Sequence, residues 1–451
     1  MATRARTALW AAAAGSSALQ NPKFQISNLR FRFAGLCRSL ISILKIPFAD
    51  HHFARARSVP WPCFQISNSK FRFAGPLLVT LFVSIPLGFA QAPPQPYAVM
   101  PRDAVNYAGP GRDASHDLDG SEIKIGFLAP LTGPRQDEGK ALLLAAQLAI
   151  EDEAASPLAE GRRLSLVSRD QSGPWGRASN EIVHLVYEDR AVAIVTYLDG
   201  ASAHLAEQVA NKVGIPVVTL STDPTTTQIN IPWVFRLGPT DTQQARAFAR
   251  DIYVTRKLKR VLLVMESGHD GRVGEVEFQK AARQLNAFPV AQLVVDTANW
   301  DPDALVGQIM AQKPEALVLW TGPEITARVV SSFREAFPTS PVYLCHQAAQ
   351  VRFDTVQENI WIVATSLAGG PLRESFEKRY RARAGTGPVP AAAQAYDAVR
   401  ILAGALRRSG PNRARVRDAL AALTNYSGVS GVISFDHAGN DLSDVTLVGL
   451  Q

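Results

Sequence analysis

Ile123-Lys124-Ile125-Gly126-Phe127-Leu128-Ala129-Pro130-Leu131-Thr132-Gly133-Pro134 decides the fold of this chain. Apolar residues fill a short strand that stops at a Pro/Gly turn, and a helical pattern of small and aliphatic residues follows over 137–155. In open α/β sheets, ligands sit beyond the carboxyl ends of parallel strands, in the loops that lead into helices. The same strand-turn-helix unit recurs down the chain without a catalytic motif. The pattern predicts a protein that binds a small molecule and performs no chemistry on it.

Strands are expected at 123–129, 164–168, 191–197, 216–220, 233–237, 260–266, 290–295, 316–321, 341–345 and 360–365. Helices such as 176–188, 202–212 and 240–256 fall between them. The strands are continuously apolar rather than alternating, which means a parallel sheet covered on both faces. In the last third, helices at 372–384, 391–409 and 413–423 run consecutively before strands at 431–435 and 445–450. The expected fold is α/β, two Rossmann-like lobes with parallel sheets joined by a three-segment hinge. Lobe 1 comprises 122–238 and 366–428; lobe 2 comprises 239–365 and 429–451. The chain crosses between lobes near 237–240, 364–367 and 427–432, and such hinges permit closure about a ligand.

The basic pI of about 9.4 suggests a polyanionic partner. The charge is segregated, however. The chain has 47 Lys and Arg against 40 acids, of which residues 1–90 hold 11 bases and one acid, Asp50. The body therefore holds 36 bases against 39 acids, a net of −3, so nucleic-acid binding is excluded for it. Residues 1–90 read as a leader. The segment 24–35 is nearly duplicated at 64–75, and 76–90 is an apolar core with small residues at Gly88 and Ala90. That is a secretory signal cleaved near Ala90, and it implies a secreted, periplasmic protein. Residues 91–121, with Pro93, Pro94, Pro96, Pro101 and Pro110, read as an exposed linker. Of three cysteines only Cys345 lies in the body, at the end of an apolar run, where a buried structural thiol is expected.

The body resembles the type I periplasmic binding proteins, specifically the leucine/isoleucine/valine-binding receptors of ABC importers. The resemblance runs over Glu122 to Leu450. It rests on Gly126 to Pro134, Gly214-Ile215-Pro216, Trp233-Val234-Phe235-Arg236 and Asp241-Thr242-Gln243-Gln244. It continues through Thr321-Gly322-Pro323-Glu324, the AQAYDAV run ending at Val399, and the GVSGVISFD run ending at Asp436. It implies a ligand cleft between the lobes, closure on a small-molecule ligand, docking on an ABC permease, a monomeric state and no cofactor.

Residues just after strands are expected to face that cleft. Asp199 and Ser202 open a helix whose free N–H groups suit an anionic oxygen, and Ser221 and Thr222 offer hydroxyls; ordinary N-capping explains the same residues. Thr321 ends the strand 316–321. By the resemblance, the family's carboxylate-binding Ser is replaced by Gly200, its aromatic after the first loop by Glu138, its second-lobe Tyr by Asp270, and its ammonium-pairing acid by Gln347. The expected site is Glu138, Asp199, Ser202, Ser221, Thr222, Asp270, Thr321 and Gln347. With three acids and no Lys or Arg, it should accept a neutral polar or cationic solute (amino-acid-like, or a related amide or amine) and repel an uncompensated anion. His346 is a further cleft candidate, weighed against a structural role.

No metal spacing of His and Cys, no Gly-x-Ser-x-Gly elbow and no phosphate loop occur in the sequence. The run Asp436-His437-Ala438-Gly439-Asn440-Asp441 fails calcium-loop spacing and reads as a turn. Two alternatives remain: a sensing receptor that presents its closed form to a signalling partner, and an α/β enzyme with an unrecognised site.

Overall fold

The computed structural model describes residues 107, 109–113, 121–154, 158, 161–174, 176–228, 231–353, 358–365 and 370–450. The leader, its signal, most of the 91–121 linker and part of the 364–367 crossing lie outside the described residues. Two sheets account for most of the fold. The first is built from β1 (Glu122–Ala129), β2 (Arg163–Asp170), β3 (Ala193–Thr196), β4 (Val217–Thr219) and β5 (Val234–Arg236). All its pairs are parallel and the order is β2-β1-β3-β4-β5. Helices α1 (Gln136–Glu153), α2 (Arg177–Tyr187) and α3 (Gly200–Val213) make the crossovers.

The second lobe opens with α4 (Asp241–Ala249), which continues as a π-helical stretch, Arg250–Thr255. β6 (Val261–Glu266), α5 (His269–Gln284), β7 (Ala291–Val295), α6 (Pro302–Gln312), β8 (Ala316–Trp320), α7 (Pro323–Ala336), β9 (Val342–Leu344) and β10 (Ile360–Thr365) follow. The chain then returns to pack α8 (Pro371–Ala384), α9 (Pro390–Ser409) and α10 (Arg413–Ala421) on the first lobe, and makes the short pair β11 (Tyr426–Ser427) and β12 (Val432–Ile433). It ends with β13 (Val445–Gly449), antiparallel to β10, so the second sheet runs β13-β10-β9-β8-β6-β7.

The strands form because burial on both faces demands uninterrupted apolar runs. Val261 to Met265 and Ala316 to Trp320 are all buried, whereas the edge strand β7 alternates between half-buried and exposed positions before ending on buried Val295. Local signals fix the helix starts. Thr240 and Gln243 form a capping box on α4, Asp199 accepts the Ser202 N–H at 2.9 Å on α3, and Asp301 caps α6 ahead of Pro302. In each lobe a glycine lets a helix press onto the end of its strand. A Cβ on Gly139 would lie 1.8 Å from the Pro130 carbonyl, and one on Gly271 2.0 Å from the Glu266 carbonyl.

Two expectations about organisation change. The strand at 431–435 was assigned to lobe 2, yet Val429, Ile433 and Phe435 pack into the first core. Phe435 lies against Phe235 of β5, ring centroids 5.2 Å apart. The segment is pinned there by Asp397 on α9, whose carboxylate accepts the N–H groups of Val429 (2.9 Å) and Ser430 (2.7 Å). The second sheet therefore regains the chain only at β13. The described part of the linker is also less exposed than expected. Tyr107 packs edge-on against Trp233 at 4.7 Å, and Arg112 pairs with Asp418 at 2.7 Å.

Candidate functional site

In the first sheet the strand order reverses between β1 and β3, and in the second between β6 and β8. Loops diverge at such points and leave a crevice at the carboxyl ends. A cleft of about 880 Å³ occupies this position, walled by both lobes. The first lobe contributes Pro130, Thr132, Pro134, Arg135, Asp137 and Glu138 from the end of β1 and the start of α1. It adds Arg177 on α2, and Asp199 with Ser202 at the start of α3. The second contributes Glu266, Trp300, the start of α7 from Gly322 to Ile325, and Gln347, Gln350 and Arg352 beyond β9.

Four of the eight expected residues, Glu138, Asp199, Ser202 and Gln347, line this cleft; the other four do not. Thr321 is fully buried and its hydroxyl pairs with Thr326 of α7 at 2.8 Å. Ser221 is buried, and its Oγ accepts the Asp223 N–H at 3.5 Å. Thr222 donates to Asp241 at 3.1 Å, and Asp270 accepts the Gly200 N–H at 2.7 Å. Those last two contacts join the lobes, so Thr222 and Asp270 belong to a seam beside the cleft. His346 is buried and does not reach the cavity; burial drops its pKa to about 4, which leaves it neutral.

The seam is acidic and desolvated. Burial, then the charge of Asp270, pushes Asp241 up to about 7; burial, then the charge of Asp199, pushes Asp270 up to about 6. Here also is the reason for Gly200. A Cβ at that position would lie 2.5 Å from Asp223 Oδ2 and 2.7 Å from the His269 ring, which meet at this point. A serine there would have to displace the Asp223 carboxylate or the His269 ring from this contact.

The expectation of a cleft with no cationic side chain is wrong: Arg135, Arg177 and Arg352 all line it. Arg135 is the most enclosed. It pairs with Glu138 at 2.9 Å, and its guanidinium carbon lies 5.4 Å from the centre of the Tyr197 ring. Tyr197 in turn donates to Glu138 at 2.9 Å. Burial opposes the Arg135 charge, but Glu138 outweighs it and the group stays protonated. On the facing wall, burial pushes the Glu266 carboxyl above its usual range; it accepts the Gly322 N–H and feels both Arg135 and Glu138. Arg135 caps α1, three residues before Glu138 in its first turn, so position alone pointed to it. Trp300 carried no signal beyond lying after a strand.

A family profile described as periplasmic binding protein matches residues 122–446. The chain belongs to this family. A relative named as an amino acid binding protein, from Pseudomonas aeruginosa, is 27% identical over 201 residues, 44% of this chain and 53% of its own length. The chain spans about half the length of the curated relatives it matches. Among solved structures, the isoleucine complex of the branched-chain amino acid substrate-binding protein LivJ from Streptococcus pneumoniae superposes with a TM-score of 0.64 at 22% identity. The match covers 72% of this chain and 95% of that one. A solute-binding protein from R. palustris in complex with benzoate gives 0.64 at 20% identity, covering 72% and 92%. The expected fold, the two-lobed type I architecture, is thereby established, and these neighbours are substrate-binding proteins.

Proposed function

We propose that this periplasmic binding protein is the extracytoplasmic receptor of an ABC importer and takes a small amino-acid-like solute whose carboxylate faces Arg135. The carrying observation is the enclosed Arg135–Glu138 pair opposite Glu266. A guanidinium offers a planar fork of donors to a carboxylate. Glu138 and Glu266 supply acceptors for an ammonium on the same molecule. Isoleucine and benzoate, the solutes in the two neighbours above, share a carboxylate, which supports the reading. Trp300, Ile325 and Val351 offer the solute's apolar part a wall.

The test is a thermal-shift screen against amino acids, aromatic acids, amides and amines, followed by calorimetry on Arg135→Gln. A ligand at 100 times its Kd raises stability by about 2.7 kcal/mol. Losing a charged hydrogen bond costs about 1.5–3 kcal/mol, so binding should weaken by about tenfold to a hundredfold. A solute without a carboxylate that binds Arg135→Gln as tightly as the parent would overturn this assignment.

A further inference from the structure

Among the described residues, one cluster of metal-ligand-type side chains lies apart from the cleft lining. His204 on α3, Asp223 beyond β4 and His269 at the start of α5 bring ligand atoms within 4.8 Å of one another. Asp223 Oδ2 is shared, 2.7 Å from His269 Nε2 and 3.5 Å from His204 Nε2. Two of the three residues belong to the first lobe and His269 to the second.

We propose that His204, Asp223 and His269 form a binding site for a divalent transition-metal cation of the zinc type, which ties the two lobes together at the seam. Three features go beyond proximity. Bonds of about 2.1 Å at a tetrahedral angle place donor atoms about 3.4 Å apart, close to the His204–Asp223 spacing. The other oxygen of Asp223 is occupied, because Oδ1 accepts both the Thr225 N–H (2.8 Å) and the Thr225 hydroxyl (2.6 Å). Oδ2 is left as a single ligand atom. Finally, His204 Nδ1 lies 3.0 Å from Glu207 Oε2, and Glu207 is buried. A carboxylate on the far nitrogen orients the ring as in carboxylate–histidine–zinc arrangements, and Nε2, which now meets the Thr225 hydroxyl at 2.8 Å, exchanges that contact for the metal.

Two imidazoles and one carboxylate select borderline d-block cations over calcium or magnesium, which favour all-oxygen shells. The His204 and His269 side chains are 27% and 31% exposed, giving solvent access and room for a water as fourth ligand. Binding the cation releases protons, because an imidazole must be neutral at the nitrogen that ligates a metal. Gly200 is part of the design, because any side chain there would meet Asp223 and His269.

The experiment is calorimetric titration of the chelator-treated full chain with Zn²⁺ alone, at about pH 8 so that protons compete less. Co²⁺ substitution is read by visible absorption. One equivalent should bind and Co²⁺ should give the intense d–d bands of a tetrahedral site. His204→Gln and His269→Gln should each weaken Zn²⁺ by at least tenfold and abolish those bands. His184→Gln, which alters an exposed His–Glu pair elsewhere, should change neither. Asp223 is almost fully buried and its variants risk misfolding, so the partly exposed histidines carry the test. Failure to bind one equivalent, or unchanged affinity in both histidine variants, overturns the site. Loss in His204→Gln but not in His269→Gln overturns the tie between lobes. No solute is present, so either failure leaves the receptor assignment untouched.

Discussion

Gly274→Ala and Gly307→Ala are the same substitution in two helix interiors, and the structure gives them opposite signs. Gly274 lies in α5 against the second sheet. A Cβ there would stand 2.1 Å from Trp320 Cδ1 and 2.3 Å from its Cγ and Nε1. Ordinary contact begins near 3.4 Å, so helix and ring must separate by more than an ångström. The ring cannot simply turn. Phe248 and Phe278 hold it at centroid distances of 5.7 and 6.3 Å, and its N–H donates to Asp241 at 3.1 Å. Overpacking of this kind costs about 1–3 kcal/mol. Losing the bond to Asp241 adds about 1.5–3 kcal/mol, and helix propensity returns about 1 kcal/mol. Gly274→Ala should therefore destabilise by about 1.5–5 kcal/mol. Gly307 is exposed on α6 with no atom near its Cβ, so Gly307→Ala should stabilise by about 0.5–1 kcal/mol. Urea unfolding followed by tryptophan fluorescence measures both. A Gly274→Ala protein as stable as the parent, or two variants shifting in the same direction, would refute the packing argument.

Three further outcomes follow from named groups. Partial burial pushes the Asp170 carboxyl up, but donors from Thr132, Ser172 and Leu131 outweigh it and hold the pKa well below the usual range. Its contribution is fully present above the unfolded value of about 3.9 and is lost as pH falls through the depressed folded value. Asp170→Asn should thus lower stability at neutral pH and flatten the acid limb of a Tm-against-pH curve; an unaltered limb would contradict this. Glu153, buried at the end of α1, pairs with Arg400 at 2.6 Å and with Arg407. Glu153→Gln should cost about 1–3 kcal/mol by urea unfolding, less than for a fully buried pair because both arginines reach solvent. Cys345 is buried and burial raises its thiol pKa, so a thiol reagent should label it only on unfolding; rapid labelling of the native protein would be the contrary result.

The strands were legible because a parallel sheet covered on both faces requires apolar runs, and ten of these stand out in the chain. A cleft at the carboxyl ends of the strands follows from strand-helix alternation with right-handed crossovers, although the order of strands in each sheet does not. The loops lining the cleft were legible for the same reason, and Glu138, Asp199, Ser202 and Gln347 lie there. What the sequence does not encode locally is the direction of a side chain in the first residues after a strand. Thr321 directly follows β8 and turns inward to Thr326; Ser221 and Thr222 follow β4 and turn to Asp223 and Asp241. Each had a partner already, and the partner rather than the residue type decides whether a hydroxyl is free for a ligand.

The seam between lobes was illegible for a stronger reason. Asp223 meets His269 across 46 positions, and Gly200 meets Asp270 across 70. No periodicity or capping signal spans such separations. The substitution of Gly200 for the family's serine was visible in the sequence, and it suggested a ligand subsite with one hydroxyl missing. The structure gives it a different cause: the space is taken by a His–Asp contact from two lobes, and only a residue without a Cβ leaves that contact intact. The departure from the family's pattern therefore reports on how the lobes meet. Under the function proposed above, ligand preference is read instead from Arg135, Glu138 and Glu266, where the cleft's charges face one another.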